Sequence, residues 1–280
     1  MKLLLLTTAI IENGNTDVLD NMLKSVAENM KLNTNYHVDH VVLLQKCTKE
    51  KCSEIEIKAP PFVTFLSVDN VISLSEARNR LFHYVFDASL IEGSSIVAFP
   101  DDDCWFPVGN LNFVINQFQF NKNLDFFFCK YGSSTEVASM NEDELKEASI
   151  SDVVRNASSN TIFIRGRVAL QIGGFDINLG VGTENNGGED LDYAIRAYLA
   201  SKQVSYLSKK IVGHRDKNNE LRGKYYRGST IVLKRYSKKS VGLMYEFIRK
   251  VCVGLVLMVK NELPWSEFLI SMRYNKSLTE

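Results

Sequence analysis

Three consecutive carboxylates, Asp101-Asp102-Asp103, follow the short apolar run Ser95–Phe99 and Pro100. Carboxylates packed this closely repel one another, and a divalent cation relieves the repulsion. The pattern is not a calcium loop of the EF-hand kind, because its sixth position is Phe106 rather than Gly and its twelfth is Asn112 rather than Glu. Taken alone, the run reads equally well as an acidic turn capping the next helix. A second cluster is Gly187-Gly188-Glu189-Asp190-Leu191-Asp192, followed by Arg196. Glycines lead the chain into a helix whose N-terminal N–H groups keep carboxylates ionised. An ionised Asp at a cleft mouth can accept a proton from an attacking hydroxyl, and Asp192 and Arg196 are spaced to pair on one helical face. Ordinary capping is the plainer reading of this cluster. His214 ends a strand-like segment in a position suited to a metal ligand, although a lone histidine is more often structural. His37, His40 and His83 have no supporting context.

The elements that must position these groups alternate. Leu3–Ile10 is a strand-length apolar run, closed by the turn residues Glu12-Asn13-Gly14-Asn15. Thr16 or Asp17 caps a helix to about Met30, with Val18, Met22, Val26 and Met30 as its apolar stripe. Val38–Leu44 and Phe62–Val68 read as strands, and Ser73 or Ser75 starts a helix bearing Arg78, Asn79, Leu81, Phe82 and Val85. Ser95–Phe99 is a short buried strand, Val108 to Phe118 a helix, and Phe126–Lys130 a strand. Asn141–Ser149 is expected to be an exposed helix or excursion. Asn160–Arg165 is a strand and Val168–Ile172 a short helix stopped by Gly173-Gly174. A glycine- and asparagine-rich loop spans 176–188, a helix runs from Glu189 or Asp190 to about Ala200, and Val204–Leu207 is a strand leading to Val212-Gly213-His214. The rhythm predicts an α/β domain with a mainly parallel sheet covered on both faces.

Composition sets the outer limits. The chain of 280 residues is 45% hydrophobic and 24% charged, with 5 Pro and 16 Gly, which excludes disordered and collagenous classes. Charges balance at 33 of each sign, so no global field recruits nucleic acid. The balance hides an asymmetry: from Ser201 onward there are 17 Lys+Arg against 6 Asp+Glu, leaving 16 against 27 before it. A basic segment on an acidic body suits an anionic surface, or its own acidic body. The 5 cysteines lack metal-knuckle or redox spacing and read as reduced thiols of a cytosolic protein. The opening Met-Lys-Leu-Leu-Leu-Leu lacks a cleavage pattern and reads as a buried strand. The longest apolar run, Val251 to Val259, is too short to span a bilayer.

The joint pattern resembles the metal-dependent inverting glycosyltransferases of the GT-A fold, notably the large family 2, over roughly residues 1–216. Ser75-Glu-Ala-Arg78-Asn79 is similar to the family's Ser-x-x-Arg-Asn segment, and Asp101-Asp102-Asp103 to its Asp-x-Asp motif. Ile172-Gly173-Gly174-Phe175-Asp176 resembles its Gly-Gly-Phe-Asp segment, Gly188-Glu189-Asp190 its x-Glu-Asp motif, and His214 its C-terminal metal-binding histidine. The Gly180-Val-Gly-Thr183 loop is similar to that of members from bacterial surface-polysaccharide pathways.

The resemblance implies a GT-A-type domain over residues 1–220, with a nucleotide-sugar half to about 104 and an acceptor half from 105. A helical C-terminal appendage would cover 221–280. It implies Mn²⁺ or Mg²⁺ held by Asp103, His214 and Asp101, and donor contacts from Thr8, Arg78, Asp101, Asp102 and Asp103. Asp190 would be the general base, while Trp105, Gly188, Glu189 and Asp192 would lie along the acceptor and sugar. The family's acidic base contact after the second strand is missing here, leaving Gln45 or Asp69 to serve. The implied reaction moves a hexose from a nucleotide diphosphate sugar, UDP above all, to a polyprenyl-diphosphate-linked glycan in O-antigen or capsule synthesis. A sugar nucleotidyltransferase, or a non-catalytic glycan-binding scaffold of the same fold, is the alternative.

Beyond Leu221, basic and aromatic residues precede apolar helical sequence from about Val241 to Met272, interrupted at Pro264-Trp265. Two uses fit: a membrane-surface helix pair, which would place a cytoplasmic protein on the inner membrane face, or packing against the catalytic domain or a second copy.

Overall fold

The computed structural model describes residues 1–12, 14–32, 36–138, 145–216 and 221–273. Strand β1 (Lys2–Ile10) is followed by α1 (Asp17–Leu32), β2 (His37–Gln45), α2 (Lys49–Glu56), β3 (Val63–Val68), α3 (Leu74–Asp87), β4 (Ile96–Ala98) and α4 (Asn110–Phe120). The chain continues through β5 (Leu124–Gly132), β6 (Leu145–Glu147), α5 (Ile150–Asn156), β7 (Ile162–Arg165), α6 (Gly166–Ile172), α7 (Glu189–Ala200) and β8 (Gln203–Gly213). It ends in α8 (Leu221–Lys224), α9 (Tyr226–Tyr236), α10 (Val241–Val259) and α11 (Trp265–Arg273).

The eight strands form one sheet in the order β3-β2-β1-β4-β7-β5-β8-β6. Pairs β1–β2, β1–β4, β2–β3 and β5–β8 are parallel, whereas β7 runs antiparallel to both β4 and β5, and β6 antiparallel to β8. Two successive reversals across β7 restore the original direction. The strands β1 to β5 and β8 therefore point the same way, and their carboxyl ends share one edge of the sheet. Open sheets of this kind bind their ligands there.

Both faces are covered, which explains why the strands read as continuous apolar runs. Along β1, Leu3 and Leu5 pack with Met22, Val26, Phe113 and Phe118 from α1 and α4, while Leu4 and Leu6 face Ala77, Leu81, Tyr193 and Ala194 from α3 and α7. Thr7 interrupts the apolar run for a reason. Its hydroxyl donates to the carbonyl of Pro100 at 3.0 Å, tying β1 to the segment that carries the three aspartates. His40 Nε2 lies 2.9 Å from the same hydroxyl, whose proton is already given away, so the ring donates. Burial drives the His40 pKa down to about 3 and keeps it neutral.

Several local expectations are corrected. The α1 stripe is rotated: Val18 is 52% exposed, and Leu19, Leu23 and Asn29 are buried with Met22 and Val26. The segment before Ser149 is a strand rather than a helix where it is described, since Leu145–Glu147 pairs with β8; residues 141–144 lie outside the described residues, as does Asn13 of the first turn. Val204 and Val212 belong to one strand of 11 residues. Helices α2 and α5 have charged or short sequences without a clear apolar period. Each is fixed by a serine or threonine cap, Thr48 and Ser149.

Candidate active site

Asp101 to Asp103 leave the carboxyl end of β4, and His214 leaves the carboxyl end of β8. Trp105 and Gly213 bring them together through two backbone hydrogen bonds, Trp105 N–H to Gly213 O at 3.0 Å and Gly213 N–H to Trp105 O at 2.8 Å. The indole covers Gly213 so closely that a Cβ there would overlap the ring, hence the glycine before the histidine. His214 Nε2 lies 3.0 Å from Asp103 Oδ1 and 3.8 Å from Asp101 Oδ2. Its Nδ1 donates to the Arg215 carbonyl at 2.9 Å. That hydrogen bond fixes the ring and leaves Nε2 for a cation. One ligand atom each from Asp101, Asp103, Cys104 and His214 lies within 4.8 Å of the others.

The electrostatics of this cluster are those of a site short of positive charge. Burial and the flanking carboxylates push the Asp102 pKa up to about 6. Burial also pushes Asp101 up, helped by Asp190 and Asp103 and opposed by Arg78. For Asp103 burial is outweighed by the His214 hydrogen bond, which holds it below the usual carboxylate range. His214 answers in the opposite sense: burial opposes its charge, but Asp103 raises it above its ordinary value. Burial raises the Cys104 thiol well above the usual value, so it stays protonated and neutral beside the two acids.

Asp190 sits at the first turn of α7. Its Oδ1 accepts from Arg78 Nη1 at 2.6 Å, and its Oδ2 from the Ser159 N–H at 3.0 Å and the Ser158 hydroxyl at 3.3 Å. Arg78 Nη2 reaches Asp101 Oδ1 at 3.2 Å and the Ser159 hydroxyl at 2.7 Å. One guanidinium thus spans the two acidic clusters that the sequence separates by nearly ninety residues. Burial would raise Asp190, but Arg78 and the Ser159 hydrogen bonds prevail and hold it ionised. Its neighbour Glu189, buried and facing the Asp190 charge, is shifted upward. The Asp190 side chain remains 28% exposed, so a substrate can reach it.

The motifs also lock one another in place. The Asn79 carboxamide clamps the backbone of Phe175, accepting from its N–H at 2.6 Å and donating to its carbonyl at 2.9 Å. Ser75 donates to Leu179 O at 2.6 Å. Phe175 stacks on Tyr193 and carries the Arg78 guanidinium 5.0 Å above its ring.

The structure gives several residues tasks other than those expected. Arg78 is 2% exposed and bonded to Asp190, Asp101 and Ser159, so it braces the two carboxylates. Asp192 is 1% exposed. Its Oδ2 accepts from Arg196 Nε at 2.8 Å and its Oδ1 from Arg235 and the Tyr236 hydroxyl at 3.0 Å, leaving nothing for an acceptor sugar. Gly188, with φ 88°, lies against the Gly228 backbone where a Cβ would clash, so it serves the close approach of α9. Gln45 is buried with Oε1 accepting from the Ile72 N–H at 2.9 Å, which shapes the loop before α3, and Asp69 is exposed. Trp105 is half-buried over Gly213, and Thr8 half-buried on β1, on the opposite face from Thr7.

Tyr131, Ser158 and Ser159 escaped the sequence reading, and Arg235, counted there among the basic residues of the tail, is 11% exposed and ion-paired inside the protein. Tyr131 at the carboxyl end of β5 packs its ring edge-on to His214, 5.1 Å between centroids. Ser158 and Ser159 precede β7, which starts at this edge because it runs antiparallel. Arg235 of α9 joins Asp192 of α7 to Asp176 of the loop, at 3.0 and 2.9 Å, so the C-terminal helices brace the helix bearing Asp190. Only strand order could have revealed the first three, and nothing local marks Arg235.

No family model and no curated protein matches the sequence. Solved structures do. The fold superposes on S. aureus TarS with a TM-score of 0.65 at 16% identity, covering 96% of this chain and 50% of that one. It superposes on TarS 1-349 in complex with UDP-GlcNAc at 0.61 and 17%, covering 89% and 72%. GalNAc-T7 with UDP, GalNAc and Mn²⁺ gives 0.57 at 12%, covering 84% and 48%. The chain thus spans half the length of the longer TarS structure. These neighbours are GT-A-type glycosyltransferases, and the chain has the GT-A fold.

Proposed function

We propose that this chain is a metal-dependent inverting glycosyltransferase that moves a hexose from a nucleotide diphosphate sugar, UDP-linked, to a lipid-linked glycan of a bacterial surface polysaccharide. The observation that carries the reading is the bridge from Asp101 through Arg78 to Asp190, which sets an ionised acid beside a cluster of metal-ligand type. The neighbours crystallised with UDP, UDP-GlcNAc and Mn²⁺ support a nucleotide-sugar donor and a cation.

The donor set fits a divalent ion. Two carboxylates and one oriented imidazole suit Mn²⁺ better than Mg²⁺, which prefers oxygen ligands throughout. Asp103 and His214 would hold the ion, with Asp101 directly or through its water shell; a cation of this hardness prefers carboxylate and imidazole to the Cys104 thiol. Bound there, the ion would neutralise the diphosphate and stabilise charge on the departing nucleotide. The other steps belong to the chain. Arg78 and Ser159 keep Asp190 ionised and aimed. Asp190 takes the proton of the acceptor hydroxyl as that oxygen attacks the anomeric carbon from the face opposite the leaving group, and a single displacement inverts the configuration. Glu189, drawn toward its protonated form, can donate a hydrogen bond to a sugar oxygen. Trp105, Asp102 and Thr8 would line the donor. Residues 1–220 would form the transferase domain and 221–280 a helical addition that also braces α7.

Turnover settles the reading. Incubated with Mn²⁺, a panel of UDP-sugars and polyprenyl-diphosphate glycans, the protein should release UDP and form a β-linkage from an α-linked donor, read by NMR coupling at the new anomeric proton. A retained configuration, or pyrophosphate release from a nucleoside triphosphate and a sugar phosphate, would overturn it.

A further inference from the structure

Helix α10 is apolar on two opposite sides, and one of them packs on the protein while the other is exposed, its Tyr245 ring meeting Arg155 at 5.9 Å. Leu243, Gly254 and Leu257 face the protein, with Gly254 admitting the Tyr226 ring and Glu246, fully buried, accepting from Arg155 and Arg249. The opposite side presents Val241, Met244, Tyr245, Ile248, Leu255, Val256 and Val259, exposed by 37 to 88%, with exposed Cys252 on the same line. Their spacing of three and four residues makes one straight stripe along 19 residues, about 27 Å of helix. Isolated exposed apolar residues are ordinary, but a stripe of this length marks an interaction surface.

Charge decides what the stripe meets. It contains no acidic or basic residue itself, but exposed Lys238 and Lys239 stand at its start and exposed Lys260 at its end, where Glu262 is the exposed acid. A second copy laid parallel along the stripe would bring Lys238 and Lys239 against their own counterparts, whereas the far end, with Lys260 and Glu262, is balanced. An anionic headgroup layer is complementary to the Lys238–Lys239 end while the apolar side chains that follow sink into the acyl boundary. Trp265, 62% exposed at the start of α11, is the residue type that interfaces favour. No helix among the described residues is long and apolar enough to cross a membrane, so a membrane-bound α10 would lie along the bilayer surface.

We propose that the Val241–Val259 face docks on an anionic lipid surface with α10 parallel to it. The inference deepens the transferase reading, since it places a lipid-linked acceptor beside the enzyme, but its test does not depend on sugar transfer. The full chain is sedimented with phosphatidylcholine vesicles, with and without phosphatidylglycerol. Binding is expected to the anionic vesicles and not to phosphatidylcholine alone. Ile248→Glu with Leu255→Glu should abolish it, and Lys238→Gln with Lys239→Gln should weaken it by about thirtyfold. All four positions are exposed, and unchanged melting temperatures confirm the fold. Failure to bind anionic vesicles overturns the proposal, as does indifference to the lysine substitutions. A dimer in light scattering that Ile248→Glu with Leu255→Glu dissociates would assign the face to a second copy instead. Transfer to a water-soluble acceptor, measured on the same variants, should stay at the wild-type level; its absence in the wild type would count against the transferase reading alone.

Discussion

Asp190→Asn is expected to slow sugar transfer by about 10³-fold, within the range that a positioned general base contributes, while UDP binding changes by less than about threefold. The asymmetry follows from the geometry. An asparagine can keep one acceptor oxygen toward Arg78 or Ser159 and so preserve the shape of the α7 N-terminus, but it cannot take a proton. The substitution also removes one of the two carboxylates that neutralise a buried guanidinium. Losing one partner of a buried pair costs roughly 3–5 kcal/mol when nothing compensates. Here Asp101 remains, so a smaller loss is expected and should appear as a lower melting temperature without unfolding. Steady-state kinetics beside calorimetric titration of UDP separate the two effects. Transfer within tenfold of the wild type would remove Asp190 from the chemistry.

The second large effect is loss of the cation. Chelation by EDTA should stop transfer completely, with Mn²⁺ restoring it. Asp103→Asn and His214→Ala should each weaken Mn²⁺ binding beyond the roughly 10–100-fold that outer-shell substitutions cost. The pH dependence has a definite sign. Asp103 raises the His214 pKa above its ordinary value, so in the metal-free protein the pair stabilises the fold below the unfolded-state value, and that contribution is lost as pH rises through the folded one. A metal needs the deprotonated ring, so Mn²⁺ affinity should fall as the pH drops below the His214 value. Raising Mn²⁺ should therefore shift the acid limb of the activity profile to lower pH. Activity indifferent to chelator, or an acid limb that Mn²⁺ does not move, would contradict the assignment.

Much of the fold could be read directly because the central strands are buried on both faces. Leu3–Ile10, Val38–Leu44 and Phe126–Lys130 have no polar alternation to confuse them with amphipathic helices. The candidate site was legible only jointly: each cluster alone reads as well as a cap or an acidic turn, and the resemblance over residues 1–216 is what drew them together. What escaped is what tertiary contact decides. The resemblance gave Arg78 a donor contact, while its burial between Asp101 and Asp190 is a tertiary fact that no local pattern carries. Asp192 looked available because only its partner four residues on, Arg196, is local; Arg235 and Tyr236 come from forty residues away. Strand β6 was hidden in a charged stretch because an edge strand of three residues has little apolar face to show.

The central claim is that Asp103 and His214 grip a cation at the diphosphate while Asp190 waits beside the anomeric carbon. Anomalous scattering from crystals grown with Mn²⁺ and UDP tests it most directly. The expected map has its strongest anomalous peak bonded to Asp103 and His214 Nε2 and touching the UDP diphosphate, with Asp190 facing the open end of that phosphate. A diphosphate bound without a peak there, or a peak held by other residues, would contradict it.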